Sequence, residues 1–230
     1  MAGKSALIIG ASRGLGYALA AEFLRRGWQV TATERTPSAL HELAGSAEGR
    51  LTVETVDIAV PGQVSALRER LAGSAFDLLF VNAGTNYTTD PAATFADVST
   101  EDFVQVMVTN ALSPMRAVET LRDLVPATGT IGVMSSGQGS VADNTNGGFE
   151  VYRASKSALN QLMRSYAARH ADDPRTLLLM APGWVKTDLG GPRARLTIDE
   201  SIPGVADTIE AWAGKGGLHY LDRQGQTVNW

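Results

Sequence analysis

Tyr152 and Lys156 stand four residues apart in VYRASKSALN, residues 151–160. In a helix both side chains leave the same face, one turn apart. A phenol titrates at about 10 and a lysine at about 10.4 in free peptides. A nearby cation favours the phenolate, so Lys156 is expected to draw the pKa of Tyr152 down. Such a pair would serve as proton donor and acceptor near neutral pH. A surface lysine beside a half-buried tyrosine gives the same spacing, so the rest of the chain must decide.

Other candidate residues follow short apolar runs. GASRGLG, residues 10–16, places Gly10, Gly14 and Gly16 between a strand and a helix. Glycines allow a tight turn and close approach to a pyrophosphate, and a helix N-terminus offers that anion free N–H groups. The spacing is G-x3-G-x-G rather than G-x-G-x-x-G, and a glycine turn without a ligand is the alternative. Next comes ERT. An acid there would hold the ribose 2′-OH of NAD, while an arginine accommodates the 2′-phosphate of NADP. Glu34 and Arg35 offer both, and Arg13 adds a second guanidinium for a phosphate. The arginines favour NADP(H) over NAD(H); Glu34 keeps NAD open, and either arginine also reads as a solvated surface charge.

Asp57-Ile58 and Asn82-Ala83-Gly84 follow the third and fourth runs. The small residues of the latter would let a flat cofactor lie on the backbone. Ser135-Ser136-Gly137 follows the fifth. A hydroxyl there can hold a substrate oxygen next to Tyr152, although serines are also common turn residues. In NALSP, residues 110–114, Pro114 has no N–H for the carbonyl of Asn110, so the helix should kink. The freed carbonyl needs another partner, such as water, unless the kink is only structural.

The elements that must carry these residues alternate. Strands are expected at 6–10, 28–33, 51–56, 76–81, 130–135, 176–181 and 218–221. Helices are expected at 14–26, 37–44, 64–72, 100–125 (capped by Thr100 or a neighbour), 150–170 and 198–212. Strand and helix in alternation give an α/β fold, a doubly wound parallel sheet of about seven strands with helices on both faces. Ligands bind such sheets beyond the carboxyl ends of the strands, which is where the candidates fall. With no linker rich in proline, glycine and serine, residues 1–230 read as a single domain.

Composition narrows the function classes. The net charge of -4 gives no reason to expect nucleic acid or an anionic membrane as partner. The absence of cysteine excludes disulfides, thiolate metal sites and a thiol nucleophile, and suits a reducing, cytoplasmic setting. His41, His170 and His219 are scattered without ligand spacing, so no metal is expected. No run approaches the ~20 apolar residues of a membrane span, and the first apolar run is too short for a signal peptide.

Together these motifs resemble the short-chain dehydrogenase/reductase family: GASRGLG, Asp57-Ile58, NAG at 82–84, Asn110, Ser136, YRASK at 152–156 and PGWVKT at 182–187. The tail GGLHYLDRQGQTVNW, residues 216–230, is similar to that of the C-factor and carbonyl-reductase-like branch. The resemblance implies a Rossmann fold and an NAD(P)-dependent oxidoreductase acting on a carbonyl or alcohol substrate. Tyr152 would be the general acid/base. Lys156 would lower its pKa and bind the nicotinamide ribose. Ser136 would hold the substrate oxygen, chosen over Ser135 because the family uses the second serine. The freed carbonyl of Asn110 would hold a water relaying protons to Lys156. The cofactor would lie against Gly10, Ser12, Arg13, Gly14, Leu15, Gly16, Arg35, Asp57, Ile58, Asn82, Ala83 and Gly84. Pro182, Gly183, Val185 and Thr187 would cradle its nicotinamide amide.

The segment between Thr187 and Ile198 leaves little chain for a substrate lid. An open pocket is expected, for a bulky or loosely chosen small molecule, with Gln138, Asn144, Phe149 and Trp184 as candidate walls. The helices at 100–125 and 150–170 resemble those that pair between subunits in this family, implying a homodimer or homotetramer. The alternative is an NAD(P)-binding signalling or sensor protein with weak catalysis, against which the full set of Asn110, Ser136, Tyr152 and Lys156 speaks. A serine-lysine hydrolase is disfavoured, because no G-x-S-x-G elbow occurs.

Overall fold

The computed structural model describes residues 3–88 and 90–230. Strands and helices alternate as β1 (Ser5–Ile9), α1 (Gly14–Arg25), β2 (Gln29–Glu34), α2 (Leu40–Ser46), β3 (Leu51–Thr55), α3 (Pro61–Arg70) and β4 (Leu78–Val81). There follow α4 (Thr100–Met107), α5 (Ser113–Leu121), β5 (Thr130–Met134), α6 (Glu150–Arg169), β6 (Thr176–Ala181), α7 (Ile198–Trp212) and β7 (Gly217–Asp222). The strands form one parallel sheet in the order β3-β2-β1-β4-β5-β6-β7.

Parallel strands covered on both faces carry unbroken apolar runs, and β4 and β6 are buried along their whole length. Successive side chains serve opposite cores. Leu7 and Ile9 join Val64, Val118 and Leu159 on the face covered by α3, α5 and α6. Ala6 and Ile8 join Leu19, Phe23 and Ile209 on the face covered by α1 and α7. Each large aliphatic chain buried this way contributes roughly 1.5–3 kcal/mol. From β1 the chain builds outward to β3, then returns to lay β4 on the other side of β1. That reversal opens a crevice beyond the ends of β1 and β4.

Local chemistry moved several boundaries. Trp28 stays outside β2 because its ring packs on Phe23, centroids 4.6 Å apart. β4 starts only at Leu78, while Phe76 plugs the core as a loop residue. Helix α2 starts at Leu40 rather than at residue 37, after a turn in which Ser38 Oγ accepts from Leu40 N. Helix α3 starts early, at Pro61, where a missing N–H costs nothing.

The helix expected at 100–125 is interrupted. Ser99, the neighbour of Thr100, caps α4 by accepting from Asp102 N at 3.0 Å. A wide π turn, Val108–Leu112, then leads into α5, and a short 3-10 turn, Arg122–Leu124, follows it. Pro114 sits in the first turn of α5. Its missing donor is accommodated by wider winding just before it.

Candidate active site

The wall on the β1 side is made mainly of backbone. Gly10 leaves β1 at φ 85°, and a Cβ there would lie 2.9 Å from the backbone of Ala83. A Cβ on Gly16 would lie 2.2 Å from the Gly10 carbonyl oxygen, so both positions admit only glycine. Thr33 Oγ1 accepts from Gly10 N at 2.9 Å, and Asn82 Nδ2 donates to Gly10 O at 2.9 Å. The ends of β1, β2 and β4 are thus laced together. Helix α1 has no side-chain cap and no acid in its first turn. Its first N–H groups are left for an anion, and a dinucleotide pyrophosphate fits that requirement.

At the end of β2, Glu34 is only 2% exposed. Its carboxylate accepts from Ser38 Oγ at 2.5 Å and from His41 Nε2 at 2.7 Å. The carboxylate that kept NAD open is thus already engaged, by Ser38 before α2 and by His41 within it. Arg35 is exposed and, among the described residues, meets no carboxylate. Arg13, in the glycine turn, pairs with Asp188 at 2.9 Å, both largely exposed. Asp57 turns its carboxylate to Ala59 N, and Ile58 is buried beside it.

Tyr152 and Lys156 lie one turn apart on α6, with Lys156 Nζ 5.8 Å from the phenol ring centre. Lys156 is 3% exposed, and its ammonium donates to the carbonyl of Met134 at 2.9 Å. Asn110, in the π turn, is fully buried. Its side chain accepts from Thr85 N at 2.7 Å and donates to Thr85 O at 2.8 Å and to Ser155 Oγ at 2.9 Å. It therefore ties the loop after β4 to α6. Gly84 marks where these groups converge, since a Cβ there would lie 3.6 Å from both Asn110 Oδ1 and Lys156 Nζ.

The two serines after β5 differ in burial and in partners. Ser135 is buried, and its hydroxyl donates to Asn160 Oδ1 at 2.6 Å. Ser136 is half-buried; its hydroxyl accepts from Gln138 N at 3.1 Å and lies near enough to Tyr152 to act on the phenol's titration.

The expected lowering of the Tyr152 pKa is reversed. Burial pushes the phenol up to about 12; Ser136 pulls it down and nearby Tyr220 adds to the rise. Burial also brings Lys156 down to about 8. Desolvation outweighs the attraction between the two groups, because the ammonium is turned to Met134. Near pH 7 the phenol is protonated and the lysine mostly charged. That is a proton donor beside a cation, in a crevice with an anion-binding helix end.

The far wall is made of loops. Gln138 and Phe149 are half-buried and Asn144 is exposed. Phe149 takes a left-handed φ of 51° where it leads into α6. Pro182 and Val185 are buried, Gly183 is exposed and Thr187 half-buried. Residues 184–196 close on themselves: Trp184 Nε1 donates to Gly190 O at 2.8 Å, and Lys186 N to Leu196 O at 2.8 Å. Three participants had no signature in the sequence. Ser38 and His41 bind Glu34, and Tyr220 donates to the carbonyl of Ser136. Each depends on a contact between segments that no local spacing encodes.

Residues 4–195 match the family model for short chain dehydrogenases. A solved chain from Burkholderia multivorans, described as a short-chain dehydrogenase/reductase with bound NADP, is 59% identical, with 99% of each chain covered and a TM-score of 0.96. A carbonyl reductase from Pseudomonas aeruginosa in complex with NADP is 36% identical over 99% of this chain and 100% of its own, with a TM-score of 0.91. Among curated proteins, the C-signal of Myxococcus xanthus is 33% identical over 67% of this chain and 92% of its own. Family model, sheet order and relatives agree: the chain belongs to the short-chain dehydrogenase family.

Proposed function

We propose that this chain is an NAD(P)-dependent oxidoreductase that interconverts a small-molecule carbonyl and its alcohol, and prefers NADP(H). One observation carries the reading: a half-buried Tyr152 one turn from the buried ammonium of Lys156, with Ser136 near the phenol, beyond the strand ends of the sheet whose first helix, α1, starts uncapped. The cofactor preference is supported by the Glu34 carboxylate being engaged by Ser38 and His41 while Arg35 stands free at the same strand end. The NADP bound in the Burkholderia and Pseudomonas structures points the same way.

In this reading Gly10, Ser12, Arg13, Gly14, Leu15 and Gly16 hold the pyrophosphate, and Arg35 with Arg13 the 2′-phosphate. Asp57, Ile58, Asn82, Ala83 and Gly84 line the dinucleotide, and Pro182, Gly183, Val185 and Thr187 take the nicotinamide amide. When bound, the cofactor supplies or accepts the hydride. Ser136 Oγ donates a hydrogen bond to the substrate oxygen. Tyr152 gives that oxygen its proton in reduction and takes it back in oxidation. The Lys156 ammonium stabilises the phenolate left behind and binds the nicotinamide ribose. A water on the Asn110 carbonyl passes a proton inward to Lys156.

The self-closed segment 184–196 supports an open pocket bounded by Gln138, Asn144, Phe149 and Trp184. The exposed apolar side chains Val104, Leu112 and Leu162 on α4, the π turn and α6 support pairing of subunits as a homodimer or homotetramer. Among the described residues no helix is long and apolar enough to cross a membrane; a cytoplasmic location fits the cysteine-free sequence. The test is NADPH consumption over a broad panel of ketones and aldehydes. Turnover that drops steeply on Ser136→Ala, with a residual rate still measurable, is the expected result. Tight NADPH binding with no consumption across the panel would overturn the reading.

A further inference from the structure

The serine that faces Tyr152 is held from behind. Tyr220, in β7, is 1% exposed, and its hydroxyl donates to the main-chain carbonyl of Ser136. Gly139 N donates to that same carbonyl at 2.8 Å. Ser135 Oγ donates to Asn160 Oδ1 at 2.6 Å, and Asn160 Nδ2 donates to Gly139 O at 3.2 Å. β5, β7 and α6 thus meet in one buried polar network around the two serines, where each hydrogen bond is strengthened by the low local dielectric.

Tyr220 is itself braced. The Trp230 ring packs on it with centroids 5.5 Å apart, and Val228 N donates to its carbonyl at 2.9 Å. The same tail grips the loop that follows Ser136: Ala142 N donates to Trp230 O at 3.0 Å, and Asn229 Nδ2 to Asp143 Oδ1 at 2.8 Å. Packing alone needs only the ring of Tyr220, which phenylalanine would supply. The hydroxyl has a different target, the residue whose own hydroxyl faces the reacting phenol.

We propose that Tyr220 is a positioning residue: by fixing the Ser136 carbonyl it sets the backbone from which Ser136 Oγ reaches the substrate oxygen and Tyr152. The inference rests on the carbonyl-reductase reading above. Its hydroxyl is spent on the Ser136 carbonyl, so it acts through Ser136.

The test is Tyr220→Phe in the full chain, assayed with NADPH and a ketone that the wild type reduces. Small misplacements of reacting groups cost up to ~100-fold in rate, and a drop in kcat of about tenfold is expected here. The Kd for NADPH, read by fluorescence titration, should stay unchanged. In the Ser136→Ala background, Tyr220→Phe should cost nothing further, because coupled residues are non-additive. An unchanged kcat, or a loss that adds in full to that of Ser136→Ala, overturns the proposal. If Tyr220→Phe fails to fold, Trp230→Ala, which removes the ring braced against Tyr220, carries the same cycle: a loss that disappears in the Ser136→Ala background supports the proposal, and full additivity overturns it. Failure of the reductase reading shows separately, as a wild type that consumes no NADPH with any carbonyl compound.

Discussion

At the ends of β1, β2 and β4 the crevice wall is backbone, laced by Thr33 and Asn82 and shaped by glycines that admit no side chain. At the ends of β5, β6 and β7 the wall is side chains and loops: Ser136 on its network, the segment after Phe149, the self-closed segment after Trp184, and the tail behind Tyr220. In the proposed function the first wall takes a group whose shape is constant. Backbone N–H groups and a helix end suffice for a pyrophosphate, and little there is free to vary. The second wall is the one proposed to take the substrate, and loops held by contacts between distant segments can change their lining without disturbing the sheet. Tyr152 and Lys156 stand where the walls join.

The sharpest way to separate the two walls is Tyr152→Phe. Turnover should fall by about 10²–10⁴ or below detection, with NADPH affinity close to wild type by fluorescence titration. A variant that keeps most of its rate would remove Tyr152 from the chemistry and blur the division.

Lys156→Met should also abolish turnover, yet stabilise the free protein. Lysine titrates at 10.5 in the reference state and at about 8 here. Between those values the unfolded chain holds more protons, so wild-type stability rises with pH. Below about pH 8 both states are charged, and the folded one carries the full burial penalty. The variant should therefore be more stable at pH 7, with a ceiling of about 3 kcal/mol from the depressed pKa. The lost bond to Met134 lowers that ceiling. The gap should narrow from pH 8 to pH 10 in denaturant melts. Tyr152, whose pKa is raised, enters only above pH 10, where its ionisation in the unfolded chain lowers stability. A wild-type stability flat from pH 8 to 10 would contradict the buried ammonium.

Two smaller effects test the first wall alone. Arg35→Ala should weaken NADPH about tenfold, as loss of a charged hydrogen bond does, and NADH much less. Equal losses would argue against a 2′-phosphate contact. His41→Ala combined with Ser38→Ala should free the Glu34 carboxylate and lower the preference for NADPH over NADH several-fold. The expected range is the roughly 1 kcal/mol of a single altered electrostatic contact. Titration with both coenzymes reads it, and an unchanged ratio would mean that Glu34 stays folded away.

The same contrast explains what the sequence made legible. Apolar runs such as LLFV and TLLLMA encode buried parallel strands directly, and the glycine loop encodes a turn that no other residue can follow. The i,i+4 spacing of Tyr152 and Lys156 placed them on one helix face. Their titration was not legible, because burial and the turn of Lys156 toward Met134 depend on how β5 packs against α6. The engagement of Glu34 was not legible, because His41, seven residues on, carries no local sign of folding back. Tyr220 is separated from Ser136 by 84 positions, and only strand order brings them together.

The wide turn at Val108–Leu112 gives α4 and α5 one residue more than regular winding would need. Helical residues advance about 100° each, so ironing the turn out at constant length would swing Val118 and Leu121 from the core toward water. Deleting one residue there would instead restore even winding with both flanking faces still in phase. Folding alone could thus dispense with the surplus residue. What would vanish with it is the displaced stretch at Asn110, which makes this turn a place where a shortened chain would keep its architecture and lose its grip on the loop after β4.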